Sequence, residues 1–159
     1  MELPEATKIR LKTQHCILTD LILNLTDDEL NFAVIPGKWS IKQQIAHLLR
    51  YEEMFFDRLQ IIMSTFNAVF FPYVSDEDDK FQEVCDLPLK QLLLDFERKR
   101  ETITSFYFNL NSGELSRKGR HTQLGYFSIA LWAEFFLLHE ANHLYSIFRM
   151  SNHLKKGKL

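Results

Sequence analysis

Apolar residues recur at helical spacing in four stretches of the chain. From about Pro4 to Leu25, the positions Leu11, His15, Leu18, Ile22 and Leu25 step by four, three, four and three residues, which predicts one amphipathic helix with a histidine in its apolar stripe. Thr26-Asp27-Asp28-Glu29 reads as a short capped turn, and Ile35-Pro36-Gly37-Lys38 as a breaker. Ser40 with Gln43 three residues later has the spacing of a capping box, so a second helix is expected from Ile41. Ile41, Ile45, Leu48, Phe55, Leu59 and Ile62 form its apolar face, with Glu52 in the same stripe and His47 on its edge. Between Ser64 and Asp86 the periodicity lapses around Phe70-Phe71-Pro72 and the acidic run Asp76–Asp79, which predicts mostly loop. Asp86 then reads as the cap of a third helix, with Pro88 in its first turn, ending at Asn111-Ser112-Gly113. A polar, basic loop from Glu114 to Gln123 precedes a last helix, from about Gly125 to Asn152. Its seam, Ile129, Trp132, Phe136, His139, His143, Ser146 and Met150, turns both histidines inward. No segment alternates like a strand. The pattern is that of an all-α four-helix bundle with a long crossover between helices two and three.

Composition narrows the class. The 159 residues suit a single domain, 1–159, and 46% hydrophobic residues with only 5 Gly and 4 Pro exclude collagen-like, linker-like and disordered chains. With 19 Lys plus Arg against 21 Asp plus Glu, no basic field draws the chain onto phosphate backbones, so nucleic acid is not an expected partner. The first twelve residues carry five charges and no apolar run, unlike a secretory signal, and a cytoplasmic location is the expectation. Leu124–Leu138 is shorter than the roughly 20 residues that span a bilayer and is interrupted by Glu134, so no membrane anchor is expected. Cys16 and Cys85 form no metal or disulfide pattern and read as reduced, buried, small hydrophobes. The acidic run lacks the spacing of a calcium loop and reads as solvated. Lys155, Lys156 and Lys158 read as complements to the dipole of the last helix.

The chemistry sits in His139-Glu140-Ala141-Asn142-His143, a literal HExxH. Histidines at i and i+4 on a helix point the same way and can converge on one metal ion. The zinc-peptidase reading fails on context. Ser146 and Arg149 stand where the longer protease motif needs Gly and His, no carboxylate follows Glu140, and His153 lies ~15 Å further along the helix. Nor does the predicted fold offer a sheet edge for a substrate backbone. A third ligand must come from upstream, and His47 on the facing second helix is the best placed.

Here the chain resembles a known family. Gly37-Lys38-Trp39-Ser40-Ile41, followed by Ile45-Ala46-His47-Leu48 and Glu52, and the closing Leu138-His139-Glu140-Ala141-Asn142-His143 are similar to the two motif blocks of the DinB/YfiT-like superfamily. The resemblance implies an up-down-down-up bundle, often dimeric, in which His47, His139 and His143 bind one divalent metal ion. It also implies a metal-dependent enzyme, the family's characterised members including transferases and isomerases that use a low-molecular-weight thiol as cosubstrate, while an ion that activates water leaves a hydrolase equally open. Three neutral imidazoles leave open positions on an ion, which suits a small-molecule substrate and a catalytic role, and Zn or Ni fits such ligands.

The other polar and aromatic positions carry two readings each. Glu140 is a general base or, being ~100° round the helix from the ligands, an orienting or surface residue. Glu52 either orients a ligand histidine or bound water, or makes a salt bridge at the bundle rim. His15 lines the pocket or is a buried hydrogen-bonding residue. Tyr51, Met54, Trp132 and Phe136 are packing residues that are also candidates to line the cavity. The competing function is a non-catalytic bundle whose ion or core serves structure, dimerisation or small-ligand binding.

Overall fold

The computed structural model describes residues 2–156, and within them the bundle is plain. The first rod is α1 (Glu5–Thr13), a 3-10 turn (Gln14–Cys16) and α2 (Ile17–Ile22), in place of one continuous helix. Thr13 Oγ1 donates back to Ile9 O, a bond that bends helices, and the tighter turn follows it. The predicted stripe survives the break, since Leu11, His15, Leu18 and Ile22 are all buried. A short α3 (Asp27–Asn31) follows, opened by a Thr26/Glu29 capping box.

The second rod, α4 (Ile41–Ser64), begins where its Ser40/Gln43 capping box places it. The crossover is more structured than its sequence suggests, with β1 (Val69–Phe70), a 3-10 turn (Ser75–Glu77) and α5 (Asp79–Asp86). In α5, Asp78 is the N-cap, and Phe81 and Cys85 are buried on the face that packs against α4. Two turns are too few for a periodicity to register. The third rod, α6 (Leu89–Asn109), starts after Pro88, so Asp86 ends α5 and caps nothing that follows. Asn111 then opens a single-turn α7 (Ser112–Leu115).

Gly125 does not begin the last helix. Its φ of +91° is left-handed, and Gly125–Ser128 is a strand, β3, antiparallel to β2 (Lys118–His121), which itself pairs in parallel with β1. The expected basic loop, Glu114 to Gln123, therefore contains the end of α7 and the strand β2. Gly119 in β2 permits the close approach of the sheet to α4, because a Cβ there would lie 2.8 Å from Ile62 side-chain atoms and 2.9 Å from Phe70. The fourth rod, α8, runs from Ile129 to Lys156. No helix of the described residues is long and apolar enough to cross a membrane.

Side-chain pairs fix the directions of the rods. Glu52 meets Arg100 and Phe56 meets Phe106, so α4 and α6 are parallel. Thr7 meets Glu134, Gln14 meets Glu140 and Leu21 O accepts from Ser151, so the first rod and α8 are parallel as well. Across the bundle, Gln44 meets His143 while Phe55 stacks on Phe136, an antiparallel pairing. The topology is up-down-down-up.

The interior has two apolar clusters. One surrounds Phe55, Ile103, Trp132 and Phe136, and the other surrounds Ile45, Leu92, Phe96 and Ile147. A polar layer separates them, to which every rod contributes: His15, His47 with Glu52, Arg100, and His139 to His143.

Candidate metal centre

Helical spacing places His139 and His143 one turn apart on α8, and the antiparallel α4 brings His47 opposite them. His139 Nε2 stands 3.2 Å from His47 Nε2 and 3.2 Å from His143 Nε2. One ligating atom from each of the three lies within 4.8 Å of the others, and no carboxylate or thiol of the described residues joins them.

The outer ring nitrogens are oriented by residues that the sequence did not single out. Gln44 Oε1 accepts from His143 Nδ1 at 2.6 Å, which leaves the His143 Nε2 lone pair bare. His47 Nδ1 bonds Ser75 Oγ at 2.8 Å, so the crossover reaches the site. Gln44 lies one turn before His47, on the rod that faces α8, a spacing that could have flagged it; Ser75 sits in a segment with no periodic signal. The acidic run is not simply solvated. Asp78 Oδ2 accepts from Arg50 Nε at 2.7 Å and from the Tyr73 hydroxyl at 2.8 Å, which ties the crossover to α4, and the Tyr73 ring stacks near His47.

The donor set fits a cation. Burial, with the neighbouring imidazoles adding to it for His47 and His139, pushes the pKa down to about 3 for His47, about 2 for His139 and about 4 for His143. All three rings are therefore neutral, the form that binds metal. His139 Nδ1 is buried without a hydrogen-bond partner among the described residues. If Nδ1 carries the ring proton, a donor is stranded; if Nε2 carries it, an acceptor is. A positive ion among the Nε2 atoms would offset that cost by drawing their lone pairs to one centre.

The aromatic surroundings sort the pocket candidates. Tyr51 stacks on His139 with ring centroids 3.6 Å apart, and Phe136 stacks behind Tyr51. Trp39, not among those candidates, covers His47 and His143 with centroids 4.9 and 6.4 Å away. Trp132 is elsewhere, ~10 Å along α8 from His139, packed on Phe70, His121, Phe127 and Phe135 at the sheet. Met54 packs on the apolar cluster that holds Phe55 and Trp132.

Glu52 and Glu140 belong to a different construction. Both are 1% exposed and both bind the Arg100 guanidinium through its Nη2, with Arg100 Nε also donating to Glu52 at 2.8 Å. Gln14 Nε2 donates to Glu140 at 2.7 Å and to Leu137 O at 2.8 Å. Arg100 donates to His15 Nδ1 at 3.3 Å, which leaves His15 Nε2 to donate to Glu97 at 3.2 Å. Burial, then the nearby Arg100 charge, lowers the His15 pKa. Glu140 is thus buried in an ion pair and is not a surface residue. Glu52 forms its salt bridge in the core, not at the rim, and His15 is the buried hydrogen-bonding residue. A small three-stranded sheet does exist, contrary to the expectation of none.

Three further expectations change. Cys16 is exposed, whereas Cys85 is buried. Lys155 donates to Leu21 O in the first rod at 3.1 Å, a specific contact between rods instead of a general dipole effect. Lys158 lies outside the described residues.

Comparison with known proteins agrees with this architecture. The sequence profile of the DinB superfamily matches residues 10–147. Two proteins of Oceanobacillus iheyensis, each named a putative metal-dependent hydrolase, are 24% identical over 130 residues and 25% identical over 127. Each alignment covers 80% of this chain, and 74% and 73% of the respective relative. Among solved structures, YfiT from Bacillus subtilis, described as a probable metal-dependent hydrolase with an unusual four-helix bundle topology, superposes with a TM-score of 0.81. That match has 15% identity and covers 95% of this chain and 87% of YfiT, so it is a likeness of fold.

Proposed function

The chain belongs to the DinB superfamily, and on that premise we propose that it is a divalent-metal-dependent hydrolase whose ion, Zn or Ni, is held by His47, His139 and His143. The observation that carries this reading is the convergence of the three neutral imidazoles with 3.2 Å between neighbouring Nε2 atoms and no fourth protein ligand among the described residues. An ion bound in this way supplies Lewis acidity, lowering the pKa of a bound water or thiol toward neutrality. The protein supplies the rest. Gln44 and Ser75 hold two of the rings in a fixed orientation, and Tyr51 and Trp39 wall them with aromatic surface that keeps bulk water off. His139 and His143 remain partly exposed, which leaves a side open to substrate. The names of the two Oceanobacillus relatives support hydrolysis over the alternative nucleophile, a low-molecular-weight thiol. We further propose that the protein works on a small molecule in the cytoplasm, as a homodimer.

The test begins with metal content, measured by elemental analysis on protein never exposed to a nickel column. The expected result is one ion per chain after loading with Zn or Ni, and loss of it in His47→Ala and His143→Ala. Ion-dependent cleavage of activated esters or amides then supports hydrolysis, whereas ion-dependent transfer of a small thiol to an electrophilic halide, without cleavage, replaces it with transferase chemistry. Wild-type protein that stays empty with every ion overturns the metalloenzyme reading. An ion whose removal collapses the melting temperature, with neither activity present, points to the non-catalytic bundle.

A further inference from the structure

One cavity adjoins the histidine cluster without including it. It has a volume of about 480 Å³ and lies against the C-terminal half of α8, with Ile35, Trp39 and Met150 as its apolar wall. Two of its lining residues are shared with the metal centre. The Trp39 indole packs against the His47 and His143 rings, and Gln44 accepts the His143 Nδ1 hydrogen bond. The cavity therefore begins where the ligand set ends.

Its charge runs against that of the whole molecule. The chain carries a formal net charge of -2, yet Lys38 and Arg149 line this cavity and no acidic residue does. Both are exposed, and neither makes an ion pair among the described residues. The Arg149 guanidinium carbon lies 6.0 Å from the centre of the Tyr145 ring. Uncompensated cations beside an apolar wall form the pattern of a site for an organic anion: charge-assisted bonds take the anionic group and the wall takes the body. Arg149 lies six residues after His143 on the same helix, a rise of about 9 Å, so a ligand that reaches both is extended, with its charge remote from its reacting atom.

We propose that this cavity binds the anionic end of the substrate, a small organic carboxylate or phosphate monoester whose apolar body runs along Trp39 toward His143. The role as a substrate site rests on the metal-dependent reading above, but the binding itself does not, and the two are separable by working on metal-free protein, where an anion cannot simply ligate the ion. Trp39 reports occupancy by fluorescence, because Trp132, the other of the two tryptophans, is fully buried at the sheet.

Metal-free wild type is titrated with phenyl phosphate and with phenylbutyrate, against uncharged phenylbutanol. Saturable quenching by at least one of the anions, with the alcohol bound at least roughly tenfold more weakly, is expected. The anion that binds more tightly identifies the class. Arg149→Gln and Lys38→Gln should each weaken that binding by roughly tenfold, while Lys118→Gln, an exposed charge on β2 that changes the net charge equally, should leave it unchanged. Absence of saturable binding, equal binding of the alcohol, or equal weakening by Lys118→Gln overturns the proposal. A protein that takes up its ion but shows any of these results has lost this inference and kept its metal centre. Anion binding by a protein that takes up no ion does the reverse.

Discussion

At the scale of single residues, the least expected arrangement is Arg100 between two carboxylates inside the bundle. One guanidinium cannot fully compensate two anions away from water, and Glu52 yields first. Burial, then repulsion from Glu140, holds its carboxyl well above the usual range, up to about 8, against the pull of Arg100. The sign of the resulting pH dependence follows from linkage. The folded chain keeps a proton on Glu52 that the unfolded chain has already released, so this stabilisation is full below the ordinary carboxylate pKa and is lost as pH rises toward about 8. Glu52→Gln, which keeps the shape and the neutral form, is expected to remove a slope of up to ~1.4 kcal/mol per pH unit in this window. Urea midpoints of wild type and variant should draw apart between about pH 5 and about pH 8, the variant being relatively more stable at the higher pH. Parallel curves would mean that Glu52 is ionised in the fold.

Among elements, the sheet is the part most dependent on one residue. Gly119→Ala places a methyl group inside contact distance of Ile62 and Phe70, and the cost is expected to be ~1–3 kcal/mol of stability, as for other overpacked sites. Partial recovery in Gly119→Ala with Ile62→Val, read as a rise in melting temperature, checks that the collision is the cause. The sheet also shows where sequence reasoning runs out. The four rods could be read because each repeats its apolar stripe over many turns, and α4 announces its first residue through Ser40 and Gln43. Strands of two to four residues, and the two turns of α5, are too short to repeat anything. The same limit applies to the site. His47, His139 and His143 were legible because helical spacing and a motif mark them, whereas Ser75 reaches His47 only through a crossover of irregular backbone. Arg100 lay in a stripe with Leu92, Phe96 and Ile103, and the inward-facing carboxylate at Glu52 was the available hint that a cation had to meet it.

For the whole molecule, the polar layer makes the metal-free protein sensitive to acid. His47, His139 and His143 have folded pKa values below the ordinary 6.5 because burial penalises their charged forms, so unfolding takes up protons at low pH. The stability they contribute is present above about pH 6.5 and is lost as pH falls toward their folded values, with a combined slope of at most ~4 kcal/mol per pH unit. Urea titrations of metal-free protein should show this slope reduced in His139→Leu; an unchanged slope would place the acid sensitivity elsewhere. The parallel pairing of the first rod with α8 has a further consequence, for the order of events in folding. Thr7 and Glu134 are 127 positions apart, and Leu21 and Ser151 are 130 apart. The first rod must therefore wait for the last before either is locked in place, and such distant partners slow the search for the native topology relative to hairpin-connected bundles. On the ribosome, His47 emerges long before His143, and the three-nitrogen cage cannot close until synthesis has passed most of α8.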